Sequence, residues 1–576
     1  MENPSDEKDV VKEPLLNTYK TKGGFKTLPF IIANEAFEGV ASFGLMPNMI
    51  LYLTREFGMQ IASAANVLFL WSAATNFMPI LGAYLADSYV GRYRMIGFGS
   101  IVSLLGMVLL WLTTMNSPAK ISCSESSSSC NFSTTFQLLH LYSSFVLMAI
   151  GAGGLRSSSL AFGADQIDKR DNIRNAAMLE RFFSWYYVSK TASALIAVTF
   201  IVYVQDKMGW MVGFGIPALL MSLSVLSFFL ASPFYVKLNS DSSLLTGFTQ
   251  VLVASYKNRH MRLSSQATPE MYHHKNGSML LLPSEKLRFL NKACIIKNPL
   301  QDLSPDGRAT DPWSLCTVNQ VEELKALIQV IPLWSAGIMM SVTISQNSFP
   351  VLQAASMDRH ITPYFEVPAG SLSVFLVITI ILWVILYDRV VLPLASKISG
   401  KPCRLNEKKR MGIGLIFSCM SMAAMAVAES VRRELAIEEG FSDDPQAVVS
   451  MSAMWLLPHY IFAGLGEAFN AIGQNEFYYS QLPKSMSSIA TTLFGLGMSV
   501  ASLVASFILS TVDNVTKKGG ESWVSSNINK AHYDYYYWLL TGLCSANLMY
   551  FLFCSKAYGP CEGERSGGRV LDEGEG

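Results

Sequence analysis

Two glutamates, Glu35 and Glu38, stand three residues apart in FIIANEAFEGVASFGLMPNMILYL, a stretch that is otherwise apolar from Phe30 to Leu53. In a helix that spacing puts both carboxylates on one face. A charged carboxylate at the centre of a bilayer costs at least about 2.5–3.5 kcal/mol, so such residues face a cavity or a partner rather than lipid. Burial raises a carboxyl pKa and a nearby cation lowers it, so a buried Glu pair beside a movable cation can take up and release a proton near neutral pH. The same pair can also serve as a structural tie between helices. Two cations stand in other apolar stretches: Arg156 in GAGGLRSSS and Lys190 in WYYVSKTASALIA. Lys190 reads as a lysine snorkelling to the interface, with a part in the proton chemistry as the other reading. A third carboxylate, Glu467, interrupts IFAGLGEAFNAIG.

Residues of this kind need a membrane protein to hold them, and the composition supplies one. Of 576 residues, 51% are hydrophobic and only 15% charged, against about 25% charged in a soluble chain. Twelve stretches of spanning length are expected near 29–53, 63–86, 95–115, 137–163, 184–204, 210–232, 324–349, 370–387, 411–430, 450–474, 487–511 and 535–554. Residues 1–28 are polar and lysine-bearing, without the apolar core of a secretory leader. With the N-terminus in the cytosol, the short internal segments hold nineteen Lys and Arg and the external ones nine, the bias the positive-inside rule prefers.

The resulting plan has a cytosolic tail (1–28), a six-helix bundle (29–233), a cytosolic linker (234–323), a second six-helix bundle (324–556) and a cytosolic tail (557–576). Within the linker, His273 and His274 read as solvated loop residues rather than metal ligands. Cys123 and Cys130 flank a serine run on an expected external loop, where they either pair or remain free thiols. Asn131 and Asn514 head glycosylation sequons on expected external loops. The net charge of +1 gives no sign of a nucleic-acid partner. No metal-ligand spacing, nucleophile with a base, or phosphate loop is visible, so neither an enzyme nor a resident cofactor is expected. GAGG at 151–154 falls inside a span with no strand before it and reads as helix packing.

Other motifs carry a resemblance. GAYLADSYVGRY (82–93) places Asp87 and Arg92 at the end of the second span, where they can lock neighbouring helix ends. A fainter echo, YDRVVLPLASKISGKPCR (387–404), follows the eighth. The first resembles the motif after the second helix of the major facilitator superfamily, and its ADS-x-x-GR form resembles the proton-coupled oligopeptide transporter branch. FGADQID (162–168) and FFSWYYVS (182–189) resemble that branch too. NEAFE, VIPLWSAGIMMS, GLGEAFNAIGQNEFYY and PKSMSSIATTLFGLG are similar to the plant nitrate/peptide transporter family, nearest its low-affinity nitrate subgroup.

The resemblance implies twelve helices in two bundles with a solute site between them near the midplane. It implies symport of protons with a small anion, nitrate foremost, across the plasma membrane. A larger organic solute (a hormone or short peptide) and a coupling-impaired sensor are the alternatives. Membrane lipid is a partner, and a homodimer stays open. ExxE at Glu35 and Glu38 matches the family's proton-coupling motif. Its usual following cation is replaced by Gly39, so Arg156 in span four is expected to supply the charge, and a lysine at 39 is expected to sharpen coupling. Glu467 matches a glutamate implicated in substrate binding and coupling. Ile344 stands where a dual-affinity nitrate transporter of the family has a histidine, leaving Gln346 and Ser348 as polar lining candidates. Met95 stands where that transporter carries a regulatory threonine, so no phosphorylation switch is expected there. Trp71, Trp334 and Tyr52 are read as packing residues or cavity lining.

Overall fold

The structure, a computed structural model, describes residues 23–24, 27–115, 135–167, 173–237, 244–261, 268–274, 282–400 and 405–559. Cys123, Cys130 and Asn131 lie outside them. Apolar composition without strand-like alternation yields long helices, because in lipid each backbone N–H and C=O must be satisfied within the chain.

The first half runs α1 (Leu28–Leu45), α2 (Met49–Arg55), α3 (Ile61–Leu85), α4 (Arg92–Thr113), α5 (Thr135–Asp165), α6 (Ile173–Ile196), α7 (Val202–Lys207) and α8 (Trp210–Leu230). A linker segment follows with α9 (Leu244–Lys257) and the one-turn α10 (Pro299–Asp302). The second half runs α11 (Val318–Ser345), α12 (Ser348–Ala355), α13 (Val374–Leu386), α14 (Leu392–Ser399), α15 (Glu407–Glu438), α16 (Leu457–Gln481), α17 (Ser487–Lys517) and α18 (Tyr533–Tyr558).

Among the described residues ten helical segments are long and apolar enough to cross a membrane, and the pair α1–α2, bent by 43°, makes an eleventh. The bend falls at Pro47, which lacks an N–H and clashes with the preceding turn. The twelfth, α16, has 25 residues; Glu467 and Glu476 lower its hydropathy. Short strands cap one side. Strand β1 (Met357–Asp358) pairs in parallel with β4 (Val449–Ser452), and β2 (His360–Thr362) pairs antiparallel with β3 (Phe365–Glu366).

Small residues set the close crossings in the first half. A Cβ on Gly153 would lie 2.8 Å from the Met78 Cβ in α3, and one on Gly154 would lie 2.7 Å from the Met95 carbonyl in α4. The GAGG run is therefore where α5 meets two neighbours at once.

The linker is seated on the second half. Phe248, Val251, Leu290 and Cys294 share a buried core with α11 and with Phe477 and Phe551 of α16 and α18. Lys325 of α11, fully buried, donates to the Ser284 carbonyl at 2.7 Å and to Glu322 at 2.7 Å. This removes the solvated reading of His273, which is 6% exposed with its ring nitrogens 3.4 and 3.3 Å from the carbonyls of Cys316 and Gly307. Burial in the same segment pushes the Cys294 and Cys316 thiols up to about 12, by desolvation. Asn514 also departs from expectation. It sits within the final turns of α17 rather than on a loop, because the helix runs on to Lys517.

On the side away from the linker the two halves are bound together. Four serines of α17, Ser499, Ser502, Ser506 and Ser510, recur at helical spacing and meet α3. They donate to the Ala73 carbonyl (2.9 Å), Ser72 (3.2 Å) and Asn66 (2.7 Å), and Ser510 accepts from Asn66 (3.1 Å). Beside this seam lies a ring of four alternating charges. Lys207 meets Glu366 at 2.9 Å and Asp206 at 3.2 Å; Arg359 meets Glu366 at 2.5 Å and Asp206 at 3.8 Å.

Gly370 completes the closure. A Cβ there would lie 2.4 Å from Asn48 Oδ1 and 3.1 Å from the Pro47 side chain, at the α1–α2 bend. Gly370→Ala is therefore expected to wedge the halves apart on this side. Labelling by a membrane-impermeant thiol reagent of a cysteine placed at Ser371 should rise about tenfold, as for a change of about 1.4 kcal/mol in the open–closed balance. Unchanged labelling would mean the contact yields without opening.

The charge ring should withstand mild acid. The hydrogen bond from Lys207 holds the Glu366 carboxyl below its usual value. A depressed carboxyl adds stability above its unfolded pKa and loses it only as pH falls through the folded one, so labelling, divided at each pH by that of a fully exposed reference cysteine to cancel thiolate ionisation, should stay flat from about pH 5 to 8.

Candidate functional site

Helix α1 is clamped between two helices of its own half. Ser224 of α8 donates to Asn34 Oδ1 at 2.6 Å and to its carbonyl at 3.0 Å. Ser193 of α6 donates to the Ala36 carbonyl at 3.1 Å. Gly39 explains why α6 comes so near: a Cβ there would lie 2.9 Å from the Ser193 Cβ. One turn before Ser193, the Lys190 ammonium reaches Glu35 Oε1 at 3.3 Å. Glu35 is 4% exposed in its side chain and Lys190 37%. Glu38, also buried, accepts from the Ser42 hydroxyl at 2.6 Å. The Tyr186 ring lies 5.9 Å from the ammonium.

The cation at the pair is thus Lys190, in place of Arg156. Arg156 is half-buried on α5 and makes no ion pair among the described residues. The reason is geometric, since the glycine opposite Ser193 draws α6 onto α1. The gap left at position 39 is filled from another helix, and the missing side chain is what lets that helix in.

The arrangement is a buried carboxylate pair with a partly exposed cation on one member and a hydroxyl donor on the other.

In the second half, Glu467 is half-buried on α16 and has no hydrogen-bond or ion-pair partner among the described residues. The lining expected from α11 changes. Gln346 is 1% exposed, accepts from the Tyr536 hydroxyl at 3.0 Å and donates to the Val342 carbonyl at 3.2 Å, so it caps α11 against α18. Ile344 packs on the linker-side core, and Ser348 opens α12, half-buried. The three aromatics are packing residues: Tyr52 bonds Thr113 at 2.7 Å, Trp71 stacks on Phe145 at 4.6 Å, and Trp334 donates to the Leu493 carbonyl at 2.9 Å.

At the linker end of α4, Arg92 donates to Asp87 at 3.2 Å and to both oxygens of Asp165 at 2.9 Å. Asp165 is a third member of this lock that spacing alone did not single out. It comes from FGADQID, quoted above only for its likeness.

Also unpicked was a buried ion pair in α15. Glu429 and Arg432, both under 2% exposed, meet at 2.7 Å. Arg432 also donates to Asn529 Oδ1 (2.6 Å) and the Ile528 carbonyl (2.7 Å), and Gln353 donates to Glu429 (2.5 Å). The signal was present as an acid and a base three apart in AESVRRE, at the end of a long apolar run.

On the closed side a cavity of about 590 Å³ lies between the halves, and Arg55 is the one charged residue lining it. No group of three metal-ligating side chains occurs among the described residues.

A profile of the POT family matches residues 93–525. This chain belongs to the POT family. It is 53% identical over 578 residues to Protein NRT1/PTR FAMILY 1.2 of Arabidopsis thaliana, covering 99% of this chain and 95% of that one. It is 52% identical to Protein NRT1/PTR FAMILY 1.1 of the same plant, covering 97% and 96%. Among solved structures it resembles the POT family transporter PepTSo, with a TM-score of 0.66, 17% identity, and coverage of 92% and 98%. An auto-inhibited POT family peptide transporter gives a TM-score of 0.67, 20% identity, and coverage of 93% and 98%. The fold is that of the major facilitator superfamily, twelve helices in two bundles, and the POT family is one of membrane transporters rather than enzymes.

Proposed function

We propose that this protein is a proton-coupled symporter of a small anion, nitrate foremost, working by alternating access in the plasma membrane with both termini and the linker in the cytosol. The observation that carries the coupling is the Lys190–Glu35 ion pair beside buried Glu38. A proton arriving from the acidic side neutralises Glu35 and frees Lys190, and the return of the pair resets the cycle. Arg156 and Glu467, each without an ion pair among the described residues, are the charges left for the solute. The anion reading draws support from the cavity on the closed side, where Arg55 is the one charged residue of the described lining, with Arg359 and Asp206 of the charge ring near enough to act on it. A cation in a low-dielectric cleft raises the local concentration of anions.

Ile344 favours a second reading. It offers no donor where a polar side chain would grip nitrate, so a larger carboxylate-bearing solute remains the competitor. Uptake of labelled nitrate by oocytes, at an external pH of about 5.5 and about 7.5, decides the matter. The account expects acid-stimulated uptake, saturable and competed weakly by organic carboxylates. Acid-stimulated uptake of a carboxylate with none of nitrate would move the assignment to the second reading.

A further inference from the structure

The two halves carry the same polar device at their linker-side ends. In the first, α3 ends in a π-helical turn, Ala86–Val90, holding Asp87. Arg92 opens α4 and bonds Asp87 through Nε and Asp165 through Nη1. In the second, α13 ends in a π-helical turn, Tyr387–Val391, holding Asp388. Arg410 lies in the first turn of α15 and donates Nη1 to Glu476 Oε2 at 2.6 Å. There the parallel stops.

Arg410 Nε, the counterpart of the atom that bonds Asp87, is buried with no hydrogen-bond partner. The Tyr387 hydroxyl is likewise buried and unpartnered, and its ring lies 5.2 Å from the Arg410 guanidinium. Asp388 makes no ion pair among the described residues. All three line one cavity of about 370 Å³, together with Trp383 and Glu476. Buried donors left unpaired are costly, and native structures rarely keep two in one place without something to accept from them.

We propose that this cavity binds the phosphoethanolamine headgroup of a membrane phospholipid. Two donors, an arginine N–H and a phenol O–H, call for an oxyanion, and a phosphate oxygen meets both. The lining carries one cation and two carboxylates, so a bare anion is opposed; the ligand must bring a positive charge of its own. A primary ammonium supplies it and donates to Asp388. The outer face of α13 and the turn that follows exposes Leu382, Ile385, Leu386 and Val390, an apolar track for acyl chains, beside the Trp383 indole that lines the cavity.

The test uses the full-length protein, delipidated in detergent, with retained lipid read by native mass spectrometry. Phosphatidylethanolamine should be retained about tenfold over phosphatidylcholine of the same chains, because a quaternary ammonium has no N–H for Asp388. Asp388→Asn should erase that preference, and Tyr387→Phe should weaken retention of both lipids. Equal retention of the two lipids by the unsubstituted protein would overturn the proposal. So would a preference that survives both substitutions, which would put the headgroup elsewhere. Stronger retention of free phosphoethanolamine or inorganic phosphate than of the lipid would place the ligand in solution and overturn the lipid assignment.

Discussion

Replacing Lys190 with alanine should abolish the acid stimulation of uptake while leaving surface abundance near that of the unsubstituted protein. Glu35 is nearly inaccessible, and Lys190 is the one cation bonded to it among the described residues. A hydrogen bond to a charged group is worth about 1.5–3 kcal/mol, a ten- to hundredfold change in an equilibrium. The lysine end is partly exposed, which screens the pair and favours the lower part of that range. Without Lys190, Glu35 has no cation among the described residues through which proton arrival is linked to helix movement. Arg156→Ala should lower uptake through the solute and leave the ratio between about pH 5.5 and about pH 7.5 less affected. Gly39→Lys, which the family motif alone would present as a gain, should instead reduce uptake, since even a Cβ at 39 collides with Ser193. An unchanged pH ratio in Lys190→Ala, with collapse in Arg156→Ala, would return the coupling charge to α5.

Replacing Arg432 with alanine should cost the fold more than any other single charge removal named here. It leaves Glu429 buried, with Gln353 as its remaining donor, and strips Asn529 and the Ile528 carbonyl of theirs. Removing one partner of a buried ion pair costs about 3–5 kcal/mol, a large share of the stability of a typical domain. The expected result is loss of the monodisperse peak in fluorescence size-exclusion chromatography. The double substitution Glu429→Gln with Arg432→Met removes the stranded charge and should recover most of the peak, because a buried pair replaced by groups of similar volume is often neutral. Normal behaviour of Arg432→Ala would mean that water reaches Glu429 and that the pair is not a structural tie.

The spans were legible because apolar length is a local property. Eleven spans lie where hydropathy puts them, and Pro47 marks the bend in the first; the tenth, expected at 450–474, begins as a strand and runs as helix from Leu457 to Gln481. Small residues were legible too: GAGG announced close packing, though not which helices it joins. The Glu35–Lys190 contact was not, since it joins residues 155 apart and depends on how Gly39 admits Ser193. From sequence, Gly39 shows only as a missing cation. Gln346 misled for the opposite reason. A polar residue near a helix end in an apolar span resembles cavity lining until its partner, Tyr536 on the last helix, is seen. His273 looked solvated because its run of polar neighbours hides a fold of the linker back onto the second half.

Solute and proton are proposed to move together through the Glu35–Lys190 pair. Proteoliposomes holding a pH-sensitive dye, with no pH difference imposed and an inward nitrate gradient, test it most directly. The account predicts that nitrate entry acidifies the lumen of vesicles bearing the unsubstituted protein, and that Glu35→Gln and Lys190→Ala do not acidify it. Nitrate entry with no lumenal pH change in the unsubstituted protein, or acidification that survives both substitutions, would contradict it.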